Sequence, residues 1–479
     1  MNIYDGKFGG LSDSKHSGLA GSFYRCVGLD FHSKPGKIKV HQALAKDSAT
    51  TVTALCKVAL TVSSGETLWF SFTSGKIWRR STGGTWLLVH TTTAAAGAHG
   101  CLGAMEHDGY IYWATQSRLH RIPITNIATA AHWTANAVED WATFANTDLE
   151  FHPMARMFNA LYIGDAHYVA KVSGVTGSHA FEDGSTILNL RSPNRIKTMI
   201  DYGIDILIGT FIHANVNKCE VLRWDAESET PTSRDQIDEN GINAFIRDDN
   251  HVYVQAGRAG SIYYYNGELL LPYKIIPGDW SPTKTAQVNP NATATLFKRP
   301  VFGLSNIASN PCLEGVYQLG SYSKDYNKVL SLDFPISADL SDVEIGSILV
   351  VGSDLLVSWY DVGSSAYGVD KLNWSAKYAS AYLETGILTP FNYRSELKNA
   401  VKIITNYAKA LPASCAIVVK YKRKYEAGFT TMVGVEDTTL VQNVVSEVIN
   451  KVAALQIKFE FTVNANDAPE IEFIEYLDK

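Results

Sequence analysis

The chain has 479 residues, with 42 basic and 48 acidic side chains, so its formal net charge is −6. Hydrophobic residues make up 46% of the sequence, which excludes global disorder. The acidic balance argues against a protein that grips nucleic acid over a large surface, since that needs an excess of Lys and Arg. The 24 tyrosines, 19 phenylalanines and 36 glycines favour strands and turns over helices.

Residues 1–40 form a glycine-rich N-terminal segment. Such a segment has much backbone freedom, and glycine brings no apolar surface to bury. It is therefore predicted to be an extended arm, either a frayed terminus or an arm that orders only against a neighbouring subunit. Its start lacks the apolar core of a secretory signal, and no apolar run in the chain approaches the ~18 residues of a membrane span. Synthesis in a reducing cytoplasm is expected.

Residues 41–377 repeat one pattern, in which a turn precedes a short apolar strand and a second strand follows. The repeat spacing is close to 46 residues, which matches the ~40–50 residues of a β-propeller blade. Seven anchors predict seven blades, and six remain an alternative because the last two units are irregular. Loosely spaced strands of an ordinary all-β chain are the competing interpretation. The anchors are Leu68–Phe70, Ile111–Trp113, Leu161–Ile163, Ile206–Ile208, Val252–Val254, Val301–Gly303 and Leu355–Val357.

Residues 378–479 differ from this repeat. Leu455–Val463 alternates apolar and polar residues, which predicts a strand with one buried face. Further strand patterns at 382–386, 401–403 and 416–419 predict a C-terminal β-sandwich. The stretch 441–452 suits either a strand or a helix. The predicted fold is therefore all-β, a propeller followed by a sandwich.

Motifs for catalysis, phosphate binding and zinc binding are absent from the sequence, so no catalytic, cofactor-binding or metal-binding residues are expected. The six cysteines are scattered and are expected to be reduced and mostly buried. Asp238–Gly241 resembles half a calcium loop but is better explained as a tight turn. Arg79–Trp86 resembles a degenerate Asp-box, a hairpin turn of sialidase-type propellers, with Ser81 in place of the aspartate. It supports a propeller more than glycosidase chemistry.

One basic pattern stands out near the C-terminus. If residues 419–425 form a strand, Lys420, Lys422 and Lys424 share one face. Such lysines can protect an edge strand against aggregation. Alternatively, they form a basic stripe that meets an acidic neighbour or the phosphates of passing DNA.

The order of glycine-rich arm, propeller and sandwich resembles the propeller proteins of tailed-bacteriophage tails, in particular the nozzle or hub proteins of short-tailed phages. Three stretches carry the resemblance. The first is Val27–Phe31 with Pro35–Lys39, the second is Ala381–Gly386, and the third is Ala453–Phe461 with Ala468–Phe473. The irregular unit around Asn310–Gly315 departs from a regular blade and leaves the blade count open.

The resemblance implies a non-enzymatic structural protein of the virion. Such proteins form a homo-oligomeric ring, often sixfold, below the portal and adaptor proteins. The ring extends the conduit for double-stranded DNA, helps to retain the genome and docks fibres or spikes. The alternatives are a glycan-active propeller enzyme and a lectin-like carbohydrate-binding module, such as a component of a tail fibre or spike.

Overall fold

The fold comes from a computed structural model. It describes residues 2–4, 10–11, 22–34, 36–48, 51–93, 100–146, 151–185, 187–212, 216–248, 251–278, 285–306, 313–320, 328–338, 342–388, 401–423, 426–432, 434–435, 442–447 and 454–478. Strands dominate these residues, and the helices among them are one α-helix and one 3-10 turn. Neither helix is long and apolar enough to cross a membrane.

Seven sheets of the described chain form propeller blades, each with strands A to D counted outward from the centre. Six β-strands come before the first blade, and the last of them belongs to blade 7. These strands are β1 (Asn2–Tyr4), β2 (Gly10–Leu11), β3 (Ser22–Val27), β4 (Leu29–Asp30), β5 (Ile38–Val40) and β6 (Gln42–Lys46).

Blades 1 to 4 follow in chain order, and each is an antiparallel sheet. Blade 1 contains β7 (Cys56–Thr61), β8 (Thr67–Ser71), β9 (Lys76–Arg80) and β10 (Trp86–Thr91). Blade 2 contains β11 (Gly103–His107), β12 (Tyr110–Ala114), β13 (Arg118–Pro123) and β14 (Val138–Thr143), with a 3-10 turn (Ile124–Asn126) and α1 (Ala130–Asn136) between C and D. Blade 3 contains β15 (Met154–Met157), β16 (Ala160–Asp165), β17 (Tyr168–Val175) and β18 (Ser178–Glu182), with β19 (Leu188–Asn189) added. Blade 4 contains β20 (Asn194–Tyr202), β21 (Asp205–Ile212), β22 (Cys219–Trp224) and β23 (Ser233–Ile237).

Blades 5 to 7 and the C-terminal strands complete the fold. Blade 5 contains β24 (Ile242–Asp248), β25 (His251–Ala256), β26 (Ser261–Tyr265) and β27 (Leu270–Ile275). Blade 6 contains β28 (Ala286–Leu296), β29 (Arg299–Asn306), β30 (Gly315–Gly320) and β31 (Val329–Phe334). Blade 7 contains β32 (Val343–Val351), β33 (Asp354–Asp361) and β34 (Ala366–Lys377), followed by β6. The rest are β35 (Tyr382–Thr385), β36 (Val401–Tyr407), β37 (Ala416–Arg423), β38 (Thr430–Thr431), β39 (Gly434–Val435), β40 (Gln442–Glu447), β41 (Leu455–Thr462) and β42 (Glu470–Asp478).

The predicted all-β fold with a propeller and a C-terminal sandwich is confirmed, and the number of blades is seven. Each of the seven sequence anchors lies in strand B of its blade. Strand B has a neighbouring blade on both faces. Because both faces are buried, its sequence is a short continuous run of apolar residues. All five residues of β8 and all six of β16 are buried, for example.

The propeller closes into a ring through strand A of each blade. Contacts run from β7 through β11, β15, β20, β24, β28 and β32 and return to β7. The last blade is completed by the N-terminal strand β6, which pairs antiparallel with β34. Strands from both ends of the propeller sequence therefore close one sheet, which removes two exposed sheet edges.

The two faces of the propeller are defined by their turns. Because successive strands in a blade are antiparallel, the A–B and C–D turns lie at one end of the blade and the B–C and D–A turns at the other. Two contacts between neighbouring blades lie at the end that carries the A–B and C–D turns. The Thr176 hydroxyl lies 3.5 Å from the Asp108 carbonyl oxygen, and the rings of Phe297 and Trp374 lie 6.0 Å apart. We call these ends the A–B face and the D–A face.

The C-terminal sandwich has two sheets, and one of them continues blade 6. In that sheet, β3 joins β31 to the strands β35, β41, β37 and β38. The other sheet has the order β39, β40, β36, β42, β5 and β4, with β1 beside β42. The stretch 441–452, ambiguous in sequence, contains strand β40, which pairs with β36. One hydrophobic core runs from blades 5 to 7 into the sandwich.

The described parts of the glycine-rich segment pair with strands of the same chain. β3 pairs with β35, and β5 pairs with β42. The reason is a set of apolar residues that the glycine content obscured: Phe23, Val27, Leu29 and Phe31 are all buried. The division at residues 40 and 377 stays a prediction about folding units. Part of the segment before residue 40 pairs with strands of the sandwich.

A substitution of Gly28, which lies between β3 and β4, tests this junction. Its φ is +65°, and a Cβ atom there would lie 2.3 Å from Cδ1 of Tyr378. Gly203 is a matched control, because its φ is +66° and a Cβ atom would meet nothing within 4 Å. We expect Gly203→Ala to reduce stability by about 1 kcal/mol from the backbone alone. Gly28→Ala should reduce it by roughly 1–3 kcal/mol more, because of the clash. Thermal unfolding of both variants measures this, and equal melting temperatures would contradict it.

Candidate functional site

The centre of the propeller contains a cavity of about 260 Å³. Its wall comes from strand A of six blades, with Phe72 and Phe151 added from turns on the D–A face. Charged groups in the wall are Lys57, Lys197 and Asp201. The cavity is too small for a nucleic-acid duplex, whose major groove alone is about 12 Å wide.

A bulge in β28 forms part of the cavity wall. The pairing of β28 with β29 shifts between Val288 and Thr293, so the residues between them leave the regular ladder. The side chain of Asn291 reaches across to blade 1, where its Nδ2 donates to the carbonyl oxygen of Lys57 at 3.0 Å. Blade 6 therefore contacts blade 1 although blade 7 lies between them in the ring.

The two lysines of the cavity are each held beside an aromatic ring. Lys57 Nζ lies 2.6 Å from Glu344 Oε1 and 3.9 Å from the centre of the Phe72 ring. Lys197 Nζ donates to Asn243 Oδ1 at 2.6 Å and lies 5.2 Å from the centre of the Phe151 ring. These contacts fix both ammonium groups at the D–A end of the cavity.

A chain of hydrogen bonds joins blades 2 and 3 at the A–B face. The Tyr112 hydroxyl lies 2.6 Å from His179 Nδ1, and His179 Nε2 lies 2.9 Å from Asp108 Oδ2. Burial raises the pKa of Tyr112 to about 12, although Arg121 lowers it. Tyr112 is therefore a proton donor at neutral pH, and its arrangement with His179 and Asp108 ties the two blades together.

The buried carboxyl group of Asp165 lies at the end of strand B in blade 3. Its Oδ2 accepts the backbone N–H of Ala145 at 3.1 Å, while its Oδ1 has no hydrogen-bond partner in the described chain. Burial raises its pKa to about 6, although hydrogen bonds from Asn146 and Ala145 lower it. The folded state therefore retains the proton of Asp165 to a higher pH than the unfolded chain does.

The predicted basic stripe lies on the sheet that continues blade 6. Strand β37 ends at Arg423, so Lys420 and Lys422 lie within it, and Lys424 falls outside the described residues. Ile417, Val419 and Tyr421 on the opposite face are buried. β37 pairs with β41 on one side and with the two-residue strand β38 on the other.

Carboxylates partly neutralise this stripe. Glu460 accepts from Lys420 at 2.7 Å and from Lys458 at 2.8 Å. Burial raises the pKa of Glu460, but these two hydrogen bonds outweigh burial and lower it. Lys422 lies over the Phe429 ring at 4.8 Å. We call the group Arg25, Glu384, Lys420, Lys422, Lys458 and Glu460 the charged face; in it, four cations surround two carboxylates.

Large apolar side chains are exposed on the turns and strand ends of the A–B face. Phe158 is 59% exposed on the A–B turn of blade 3, and Ile204 is 73% exposed on that of blade 4. Blades 3 to 7 each contribute at least one such residue to the set, which we call the apolar turns. The apolar turns are Phe158, Val175, Ile204, Leu269, Phe297 and Trp374.

Other residues singled out in the sequence have structural contacts. The Ser81 hydroxyl accepts the backbone N–H of Thr85 at 3.0 Å, and Trp86 Nε1 donates to Asp47 at 2.8 Å. The Asp-box-like turn therefore stabilises a blade. Five cysteines are free and buried, and Cys312 lies outside the described residues. The described residues contain no group of three or more His, Cys, Asp or Glu that could hold a metal ion.

The carboxyl group of Asp165 makes stability depend on pH. An aspartate with an unfolded-state pKa near 3.8 and a folded-state pKa of about 6 favours the folded state at low pH. That contribution is lost as the pH rises from about 4 to about 6. Asp165→Asn should therefore raise the melting temperature, and the gain should be larger at pH 8 than at pH 4.5. Thermal unfolding at several pH values measures this, and an equal gain at every pH would contradict it.

The charged face predicts opposite effects of two substitutions on DNA binding. Replacing Lys420, Lys422 and Lys424 by Ser should weaken binding of duplex DNA at low salt. Glu460→Gln should strengthen DNA binding, because it leaves Lys420 and Lys458 without their carboxylate. Lys171→Ser with Lys274→Ser, both on propeller strands, is the control. Unchanged DNA binding by the triple variant would contradict this prediction.

Neither protein-family models nor curated proteins gave a match to the chain. Among solved structures, the chain is similar to the extracellular domain of a hybrid two-component system protein from B. thetaiotaomicron, with 11% identity and a TM-score of 0.45. That match covers 79% of this chain and 45% of the other, so the chain spans less than half the length of that structure. Virginiamycin B lyase from Staphylococcus aureus matches at 10% identity and a TM-score of 0.44, over 68% of this chain and 97% of the other. An exo-β-1,3-galactanase from Phanerochaete chrysosporium matches at 8% identity and a TM-score of 0.29, over 68% and 95%.

Proposed function

We propose that this chain is a structural subunit of a phage tail, a nozzle or hub protein that assembles into a ring, often sixfold in such tails. The ring extends the DNA conduit below the portal and adaptor proteins, helps to retain the genome and docks fibres or spikes. The subunit acts by assembly and not by catalysis. The proposal rests on the sequence resemblance and on the surfaces described above.

The apolar turns are the observation that supports assembly most directly. Burying an apolar side chain at an interface gains roughly 25 cal/mol per Å² of apolar surface removed from water. Phe297 and Trp374 are each about half exposed although they contact each other. Aromatic residues of this kind are enriched at the centres of protein interfaces.

The size of the propeller cavity adds a geometric condition to the proposal. Because a duplex does not fit through a single propeller, the DNA must run along the axis of the ring, between subunits. A conduit wall must also let DNA slide, which fits a chain with a net charge of −6. The charged face, where carboxylates offset part of the lysine charge, would allow weak contact with phosphates without tight binding.

The apolar turns offer a matched test of assembly. Phe158→Ser with Ile204→Ser should reduce ring formation, because both residues lie on the A–B face. Val216→Ser with Val362→Ser is the control, since these residues are 43% and 45% exposed but lie on B–C turns of the D–A face. Mass measurement of each protein, alone and with portal and adaptor proteins, compares them.

The alternative function, a glycan-active enzyme or lectin-like module, is favoured by the central cavity and is tested in the same experiment. We expect the unsubstituted chain to form a complex many times the mass of one subunit in the presence of its tail partners. A chain that stays monomeric, ignores the portal–adaptor complex and cleaves or binds polysaccharide would overturn the assembly proposal.

A further inference from the structure

We propose that the central cavity of the propeller is a binding site for a small organic carboxylate with an apolar body, which enters from the D–A face. This site is separate from the assembly role and does not depend on it. The cavity brings together a positioned ammonium group, aromatic rings and an apolar wall, and both lysines of the wall lie at its D–A end.

Lys197 is positioned by a buried chain of amide groups. Its Nζ donates to Asn243 Oδ1, and Asn243 Nδ2 donates to Gln255 Oε1 at 2.8 Å and to the Gly257 carbonyl oxygen at 2.6 Å. Asn243 and Gln255 are fully buried. Gln255 Oε1 also accepts the backbone N–H of Val288 in blade 6 at 3.1 Å. Two buried amides from blade 5 therefore hold one ammonium group of blade 4 in the cavity wall.

Lys57 adds a second ammonium group on the opposite part of the wall. Its Glu344 partner and the Phe72 ring fix its direction. Phe72 and Phe151 both come from turns of the D–A face, so both lysine–aromatic pairs lie at that end. A carboxylate entering there meets donors that are already in place, and hydrogen bonds between charged groups are stronger than those between neutral groups.

The apolar side chains of the wall suit an apolar ligand body. Met105, Met154 and Met199 line it together with Leu349. Methionine adapts its shape to a ligand because its side chain is unbranched and polarisable. A volume of about 260 Å³ lies just below the ~300–1,000 Å³ of pockets for drug-sized ligands, so the ligand is small.

The far end of the cavity holds an ion pair. Asp201 lies there, at the end of β20, and its Oδ2 is 3.1 Å from Arg247 Nη1. A carboxylate is therefore favoured at the D–A end, where both lysines of the wall lie, because the A–B end carries a carboxylate already paired with Arg247. The position of the lysines sets the orientation of the ligand, with its charged group toward the D–A face.

Benzoate and benzamide test the site with the whole chain, because they differ in charge but hardly in shape. We expect benzoate to bind about ten-fold more tightly than benzamide, the ratio that one charge-assisted hydrogen bond gives. The chain has six methionines, and three of them line the cavity. In NMR spectra of protein with 13C-labelled methionine methyl groups, benzoate should shift the signals of Met105, Met154 and Met199. The signals of Met157 and Met432 should stay unchanged.

Substitutions identify the group that recognises the charge. Lys197→Met should remove the preference for benzoate, and Lys197→Arg should keep most of it. The control is Lys371→Met, which breaks a surface ion pair with Asp354 and should leave the preference unchanged. If Lys197→Met fails to fold, the methionine spectra of the unsubstituted chain still decide the question. Equal binding of the two compounds, shifts at the other methionines or no shift at saturating benzoate would each overturn the proposal.

Discussion

The pairing of β6 with β34 is the constraint on which the rest of the structure depends. A blade is a small sheet with two apolar faces, so it is stable only between neighbouring blades. Blades 1 and 7 become neighbours when β6, whose chain continues into blade 1, completes blade 7. Closure then fixes the positions of all seven A strands, and with them the wall of the central cavity.

The same N-terminal stretch fixes the sandwich. Just before β6, strands β3, β4 and β5 lie in the two sheets of the C-terminal domain. At this junction, Arg299 Nη2 donates to the His32 carbonyl oxygen at 2.8 Å, and burial lowers the pKa of His32 to about 4. This hydrogen bond and the continuous strands therefore join the propeller to the sandwich.

The sequence predicted the propeller because strand B of each blade is a short apolar run at regular spacing. It also predicted the alternation of β37, on which Lys420 and Lys422 share a face. It did not reveal the role of β6, because Gln42–Lys46 has a mixed pattern whose partner lies more than 300 residues later. The cavity was missed for the same reason: Lys57 and Lys197 meet only after the ring closes. Glycine content also hid the buried residues around Phe23, since composition does not show which side chains between glycines are large.

The order in which the strands are synthesised has a consequence for β6. Its partner strand β34 is synthesised some 330 residues later, which at about 5–20 residues per second is on the order of tens of seconds. During that interval the strand is an open template for pairing with other nascent chains. It is only five residues long and ends in Lys46, and short strands with a terminal charge are poor templates for aggregation. The strand β6, which completes the ring, is therefore also suited to remaining unpaired until β34 has been synthesised.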